Sequence, residues 1–329
     1  STPIKSSAAS DVYKRQHGIN QSMRLLVTGA FGYRPKQIEA LKSLGIELFF
    51  LQHEQEAMTV ITPEEVDAVV CNGLFLYHDI ERFTRLRYIQ LTSAGLDRVP
   101  AQAINNPDIV LHNAKGVYAI PMAEWAVCKV LDIYKATAGF QATQQARAWK
   151  KERRLREVNG TKIAIIGAGN VGSEVAKRFQ VFGAEIVGFD IHTHPVEGFD
   201  HIRKIDELPG LVAEFDTLIL TAPLTEQTYH LIGYDILSDM KQGAILINIA
   251  RGALIDEKAM YKILKERNDI HAALDVFEKE PLPADNPLWK LPNVTVSPHN
   301  SFVSAGNNER MFAVIYCLLY TSDAADDLI

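Results

Sequence analysis

The sequence predicts an α/β protein with two doubly wound parallel sheets, and three observations support this fold class. From Met23 onward, short apolar or β-branched runs alternate with helical patterns, as in parallel sheets with helical crossovers. The alternation restarts after a long helical stretch near the middle of the chain. A chain of 329 residues with 47% hydrophobic residues is also long enough for two cores.

The first half of the chain contains five predicted strands. They are residues 24–28, 46–50, 68–71, 88–92 and 109–112. Helices are predicted at 35–44 and 79–84, and Pro35 suits the first turn of a helix that Gly45 terminates. We expect a small domain that resembles a flavodoxin-like sheet.

The second half repeats the pattern with six predicted strands. They are residues 162–166, 185–189, 217–221, 244–249, 272–276 and 294–297. Six strands separated by helices predict a doubly wound nucleotide-binding sheet. Two helices, 122–137 and 141–156, separate the halves, and we interpret the cationic run 150–156 as a solvated helix face.

Composition excludes several classes of protein. With 34 Lys+Arg against 40 Asp+Glu, the net charge of −6 disfavours nucleic acid as a partner. The longest apolar run, 311–320, is far shorter than the roughly 20 residues of a membrane span. Three cysteines without a pairing or metal-ligand pattern favour the reduced cytoplasm, and no metal site is predicted.

Both ends of the chain resemble translations of one transposase sequencing adapter, one end from each strand. The two segments are SSAASDVYKRQ at 6–16 and CLLYTSDAADD at 317–327. We therefore expect residues 1–22 and 317–329 to be non-native tails. The natural sequence would then start near Met23 and lose its natural C-terminus after Tyr316.

The sharpest local motif is the GxGxxG run of residues 167–172. It follows the apolar run TKIAII and precedes the helical pattern VGSEVAKRFQVFG, which is the context of a dinucleotide-binding turn. Gly167 permits the tight turn, Gly169 lets the backbone approach a pyrophosphate, and Gly172 lets helix and strand pack closely. Asn170 and Val171 begin the helix, whose N-terminal N–H groups favour an anion.

Asp190 ends the next predicted strand, where a carboxylate can accept hydrogen bonds from an adenosine ribose. It would repel a 2′-phosphate, and no arginine occurs in the following residues 191–194. The sequence therefore favours NAD over NADP. A plain cap at the end of the strand is the alternative interpretation of Asp190.

Seven ordered segments resemble the D-isomer-specific 2-hydroxyacid dehydrogenases, a family that includes phosphoglycerate, glycerate and D-lactate dehydrogenases. They are LTSAGLDRVP (91–100), GVYAIPMAEWAV (116–127), IAIIGAGNVG (163–172), TAPLTEQTYHLI (221–232), GAILINIARGALID (243–256), AALDVFEKEPL (272–282) and NVTVSPHNS (293–301). The resemblance is specific for fold and reaction and poorly specific for substrate.

The resemblance implies three catalytic residues. Arg251 matches the position that binds the substrate carboxylate, Glu280 the carboxylate paired with the catalytic imidazole, and His299 the proton donor and acceptor. Reduction of a 2-oxo acid needs a proton as hydride arrives, and an imidazolium can donate it near neutral pH. A guanidinium matches a carboxylate bidentately, and the Glu280 carboxylate favours the charged imidazole.

The resemblance also implies the remaining site residues and the domains. Those expected to bind cofactor are Pro223, Ala250 and Asp275; those expected to bind substrate, with Arg251, are Gly73, Leu74, Ala94 and Gly95. A structural hydrogen-bond acceptor at a strand end is the alternative interpretation of Asp275. Residues 23–113 with 300–316 would form the substrate domain, and residues 114–299 the Rossmann NAD-binding domain. Substrate would bind in the cleft between them, and a homodimer is expected through the helices after Pro121.

We therefore predict an NAD-dependent oxidoreductase for a D-2-hydroxy acid and its 2-oxo partner. The alternative is an NAD(H)-sensing regulatory protein, similar to the corepressor branch of the family. The loop 71–77 lacks a cation, which favours an uncharged substrate side chain. Arg34 and Arg98 keep 3-phosphoglycerate open as an alternative substrate.

Overall fold

A computed structural model describes residues 23–320, which form two compact units. One unit is the described part of Ser1–Val117 and Ala305–Ile329, and the other is Tyr118–Ser304. Most of the two predicted non-native tails, residues 1–22 and 321–329, lies outside the described residues. In the described part, no helix combines the length and apolar character that crossing a bilayer requires.

The first unit contains a five-stranded sheet in which every pair of strands is parallel. Its strands are β1 (Arg24–Thr28), β2 (Glu47–Leu51), β3 (Ala68–Cys71), β4 (Tyr88–Leu91) and β5 (Val110–His112). They lie in the order β2-β1-β3-β4-β5. The positions of all five agree with the sequence prediction to within one residue.

The second unit contains a seven-stranded parallel sheet. Its strands are β6 (Lys162–Ile166), β7 (Glu185–Asp190), β8 (His201–Lys204), β9 (Thr217–Leu220), β10 (Ile245–Asn248), β11 (His271–Leu274) and β12 (Val294–Val296). They lie in the order β12-β11-β10-β9-β6-β7-β8. Two parallel-sheet α/β units confirm the predicted fold class.

Strand β8 is absent from the sequence prediction. Its residues, HIRK, are mostly exposed, and it pairs only with β7 at the edge of the sheet. A strand at the sheet edge is less buried than a central strand. It therefore does not need the continuous apolar run that identifies a central parallel strand.

Nine α-helices occur within residues 23–320. They are α1 (Pro35–Ser43), α2 (Ala101–Ile104), α3 (Ala119–Tyr134), α4 (Thr137–Gln145), α5 (Asn170–Val181), α6 (Leu208–Leu211), α7 (Tyr234–Asp239), α8 (Glu257–Glu266) and α9 (Asn307–Tyr320). Residues 317–320, predicted to start a non-native tail, continue α9. The predicted helix 79–84 is a single 3-10 turn.

The predicted helix 141–156 is wrong beyond Gln145, so the cationic run 150–156 is not a helix face. Repulsion among its like charges opposes a helix there. Arg156 instead pairs with Asp216 at 3.1 Å and lies over the ring of Tyr134, with 4.3 Å between guanidinium carbon and ring centroid. These contacts fix the chain as it enters β6.

The central strands of the second sheet are buried on both faces, which explains their unbroken apolar sequences. Side chains alternate between two cores: Ile163 and Ile165 contribute to one, and Ala164 and Ile166 to the other. The fully buried ring of Phe179 joins α5 to the first of these cores.

Parallel pairing places the carboxyl ends of β10, β11 and β12 at one edge of the sheet. At this edge Gly252, in the turn after β10, packs backbone against backbone on the segment after β11. An ideal Cβ on Gly252 would lie 1.9 Å from the carbonyl carbon of Phe277. Only glycine allows the two turns to approach so closely.

We expect Phe179→Ala to destabilise the chain by about 3–5 kcal/mol, because it leaves a cavity in the core. Chemical denaturation measures this free energy. Gln180→Ala, on the exposed face of the same helix, is the matched control and should change stability by no more than about 0.5 kcal/mol. Equal effects of the two substitutions would contradict the described core.

We expect Gly252→Ala to cost about 1–3 kcal/mol, because the new methyl group can be accommodated only by moving backbone. Thermal unfolding provides the measurement. At Gly210 an ideal Cβ would meet no atom within 4 Å, so Gly210→Ala should leave the stability unchanged or slightly raised. A neutral Gly252→Ala would disprove the close contact of the two turns.

Candidate active site

The turn between β6 and α5 requires glycine at two positions. Gly167 has a positive φ of 100°, and an ideal Cβ there would lie 2.7 Å from the backbone nitrogen of Ala222. At Gly172 an ideal Cβ would lie 2.1 Å from the carbonyl oxygen of Gly167. The turn and the start of α5 are therefore packed too closely for any side chain.

The middle of this turn is open. Gly169 caps α5, and an ideal Cβ on it would meet no atom within 4 Å. Asn170 is exposed, whereas Val171 is partly buried and packs against the core. Both residues lie in the first turn of α5, where backbone N–H groups have no partner within the helix. Open space above the first N–H groups of a helix fits a pyrophosphate, so these residues suit a dinucleotide.

Asp190 stands at the end of β7, beside the glycine-rich turn. One carboxylate oxygen accepts a hydrogen bond from the N–H of Ala168 at 2.7 Å, and the other accepts from the N–H of His192 at 3.2 Å. Asp190 therefore does cap the strand end. Its carboxylate keeps further acceptor capacity, which a ribose hydroxyl can use.

Arg251 belongs to a turn that a buried asparagine holds. The amide nitrogen of Asn248 donates to the carbonyl oxygen of Arg251 at 2.9 Å, and its amide oxygen accepts from the N–H of Ala250 at 3.1 Å. The guanidinium donates to the carbonyl of Ala250 at 2.8 Å. Sequence reasoning missed Asn248, although a polar residue ending an apolar strand was a usable signal.

His299 and Glu280 form a hydrogen-bonded pair. The Nδ1 atom of His299 lies 2.8 Å from a carboxylate oxygen of Glu280, so Nδ1–H donates and Nε2 remains for proton exchange. The other oxygen of Glu280 accepts from the N–H of Phe277 at 3.0 Å. Both side chains are accessible, at 42% for His299 and 36% for Glu280.

The loop that carries His299 is organised by the fully buried carboxylate of Asp275. This carboxylate accepts hydrogen bonds from the N–H of Asn300 at 2.8 Å, the N–H of Ser301 at 2.9 Å and the hydroxyl of Ser297. His299 itself has a φ of 50°, a left-handed conformation that is uncommon outside glycine. The structure thus gives Asp275 the role of a structural hydrogen-bond acceptor, which is the alternative interpretation of this residue from the sequence.

The three predicted catalytic residues follow adjacent strands. Arg251 comes after β10, Glu280 after β11 and His299 after β12, and neighbouring strands lie about 4.8 Å apart. Pro223, which follows β9, is exposed at the same edge. A guanidinium, a carboxylate and an imidazole at one edge can bind a carboxylate ligand and exchange a proton beside it.

The first unit carries the other predicted substrate residues. The carbonyl groups of Ala94 and Gly95 accept hydrogen bonds from the side chains of Asn113 and Ser93, which hold this turn in place. The N–H of Gly73 donates to Glu54 at 2.7 Å. The side chain of Leu74 is fully buried in the core, which leaves only its backbone for a ligand.

The sequence analysis missed a second histidine and glutamate pair. Its glutamate, Glu278, lies two residues before Glu280. The Nε2 atom of His230 lies 2.9 Å from a carboxylate oxygen of Glu278. Asp256 lies close by, and atoms of these three residues suited to metal binding are within 4.8 Å of one another. A histidine that ends the run TEQTYH was the available signal.

Comparison with protein families identifies the second unit. The model of the NAD-binding domain of D-isomer specific 2-hydroxyacid dehydrogenases matches residues 127–301. These residues include the glycine-rich turn and the predicted Arg251, Glu280 and His299. NAD(P) as the cofactor class is thereby confirmed, in agreement with the geometry of the turn.

Two relatives illustrate the range of the family. The D-3-phosphoglycerate dehydrogenase of Methanocaldococcus jannaschii is 36% identical over 258 residues, which cover 75% of this chain and 49% of the relative. The glyoxylate reductase of Korarchaeum cryptofilum is 32% identical over 267 residues, or 79% of this chain and 77% of the relative. The chain thus spans about half the length of the first and three quarters of the second.

Solved structures agree with this relationship. A family protein from Aeromonas salmonicida has a TM-score of 0.78 at 26% identity, covering 90% of this chain and 94% of that one. A family member from Xanthobacter autotrophicus, in complex with NADPH and MES, has a TM-score of 0.74 at 25% identity, covering 90% and 93%. The chain belongs to the D-isomer specific 2-hydroxyacid dehydrogenases, a family of nicotinamide-dependent oxidoreductases.

Proposed function

We propose that this protein interconverts a D-2-hydroxy acid and its 2-oxo acid with NAD. The observation that carries the proposal is the presence of Arg251 and the His299 and Glu280 pair at one sheet edge, on the domain with the glycine-rich turn. The unit with Ala94 and Gly95 is proposed as the substrate domain. Its turn offers backbone N–H groups to the substrate carboxylate.

In the proposed mechanism Arg251 binds the substrate carboxylate and orients the 2-oxo group. His299 donates the proton from Nε2 to the carbonyl oxygen, which becomes the 2-hydroxyl. Glu280 holds Nδ1–H and stabilises the imidazolium before transfer. The reduced nicotinamide supplies the hydride when bound. In the reverse direction, neutral His299 accepts the hydroxyl proton.

We propose NAD as the preferred dinucleotide. The carboxylate of Asp190 would accept hydrogen bonds from ribose hydroxyl groups and repel a 2′-phosphate. Gly169, Asn170 and Val171 would bind the pyrophosphate through backbone N–H groups. Gly167, whose N–H donates to the carbonyl of Phe189 at 2.8 Å, and Gly172 would shape the turn around it. Pro223, Ala250 and Asp275 stay proposed cofactor contacts.

Two substrate classes remain candidates. The first is a small 2-oxo acid such as glyoxylate or hydroxypyruvate, which the cation-poor loop 71–77 favours. The second is a phosphorylated acid, favoured by Arg98, whose Cδ atom lies 3.4 Å from an ideal Cβ on Gly73. Arg34 contributes less to this second candidate, because it is paired with Glu309.

We expect the unmodified chain to reduce at least one acid in a panel of glyoxylate, hydroxypyruvate, its phosphorylated form and longer 2-oxo acids, with NADH preferred over NADPH. His299→Ala should lower kcat by about 10²–10⁴-fold because the general acid is lost. Arg251→Ala should mainly raise KM. Steady-state absorbance of NADH measures all three.

Fluorescence titration with NADH is the control, since neither variant should lose dinucleotide binding. Tight NADH binding without reduction of any acid would favour the NAD(H)-sensing alternative. Near-native turnover by His299→Ala would disprove the proposed mechanism.

We also propose a cytoplasmic homodimer. The faces of α3 and α5 enclose a groove of about 580 Å³ with an apolar floor. Its lining residues are Glu124, Val127, Cys128, Leu131, Asp132, Arg178, Val181 and Phe182. The Val181 side chain is 87% exposed. A second copy of this chain packed on the groove would bury it.

Val181→Glu should convert the dimer to monomer, because the new charge would be desolvated at the interface. Sedimentation equilibrium measures the change. Gln180→Glu adds the same charge to the neighbouring exposed position and should leave a dimer. A monomeric unmodified chain would refute the proposed homodimer.

A further inference from the structure

Two histidine and glutamate pairs have their glutamates on one short segment, residues 278–280. Glu280 bonds to His299 at 2.8 Å, and Glu278, two residues earlier, bonds to His230 at 2.9 Å. Both histidines have left-handed backbones, with φ of 50° at His299 and 51° at His230. Left-handed residues other than glycine persist where their surroundings hold them firmly, often at functional sites.

Glu278 also exchanges hydrogen bonds with the start of α8. Its N–H donates to the Glu257 carboxylate at 2.6 Å, and its own carboxylate accepts from the N–H of Glu257 at 3.2 Å. The same carboxylate oxygen of Glu278 receives the His230 bond. The segment is therefore fastened to two separate elements through one side chain.

These contacts lie next to the backbone N–H group that holds the Glu280 carboxylate. The peptide between Phe277 and Glu278 rests on Gly252 on one side, and the N–H of Glu278 is held by Glu257. The N–H of Phe277 fixes the Glu280 carboxylate at 3.0 Å. A shift of this peptide would move Phe277 and with it the Glu280 carboxylate, whose other oxygen orients His299.

Electrostatics link the same groups. Burial raises the pKa of Glu257, and the charges on Glu278 and Glu280 raise it further, so Glu257 lies within the field of the Glu280 carboxylate. Asp256 adds a fourth acidic group, but one oxygen of its carboxylate caps α8 by accepting from the N–H groups of Lys258 and Ala259. The imidazole of His230 is hydrogen-bonded to this acidic cluster through Glu278.

We propose that His230, Glu278 and Glu257 form a latch that positions the Glu280 carboxylate against His299. This inference rests on the proposed dehydrogenase function. The three latch residues are positioning residues, since they act through Glu280. Loss of the latch weakens control of the His299 tautomer and lowers the rate of proton transfer, while substrate binding through Arg251 is retained.

The test compares latch-breaking variants with conservative ones. Glu278→Ala and His230→Leu remove the shared bond. Glu278→Gln keeps an acceptor oxygen, and His230→Gln places a donor near the Nε2 position. Lys279→Gln, on the exposed residue between the two glutamates, is the matched control.

We expect the two breaking variants to lower kcat about tenfold or more, with KM for the 2-oxo acid changed less than twofold, since misplacement by about 1 Å can cost about 10²-fold. The conservative variants and Lys279→Gln should stay within threefold of the unmodified chain. Thermal unfolding identifies any variant that fails to fold. If one of the two breaking variants fails, the kcat of the other tests the latch.

A second readout needs no turnover. In ¹⁵N-histidine NMR, with the His299 ring signals assigned by their loss in His299→Gln, the unmodified chain should show the Nδ1–H form. The breaking variants should show a tautomer mixture. Unchanged ring signals together with a kcat within twofold in both variants would overturn the latch. If the unmodified chain reduces no acid, the proposed function fails while the NMR result still decides the latch.

Discussion

Parallel pairing of β10, β11 and β12 is the constraint on which the rest of this site depends. Parallel strands all end at the same sheet edge, so residues that follow three neighbouring strands meet there even when they are far apart in sequence. Arg251, Glu280 and His299 each follow one of these strands, and the last two are in hydrogen-bond contact. The buried apolar strands supply the stability, and the turns after them carry the proposed catalytic residues.

The turns themselves are held by hydrogen bonds to buried polar side chains. Buried Asn248 shapes the Arg251 turn, and buried Asp275 gathers the N–H groups of the His299 loop. Buried polar groups are costly unless hydrogen-bonded, so each of these side chains specifies one local conformation. Gly252 adds a steric condition, because only a residue without Cβ lets the two turns touch.

Most of the fold could be predicted from the sequence, because a parallel strand covered on both faces must be apolar throughout. The failures are physical as well. Strand β8 is polar because it lies at the sheet edge, and the segment after Gln145 is not helical because Arg156 finds partners in Asp216 and Tyr134. The edge position of β8 and the partners of Arg156 cannot be inferred from neighbouring residues alone.

By itself the sequence determined the α/β class, the dinucleotide-binding turn and the types of chemical group available, since these depend on short-range pattern and composition. Only the tertiary structure decided which groups touch. In the folded chain the Asp275 carboxylate holds the His299 loop, and Leu74 is buried in the core. A second histidine and glutamate pair lies beside Glu280. Such contacts join residues tens of positions apart, and they follow from strand order and packing, which local sequence does not encode.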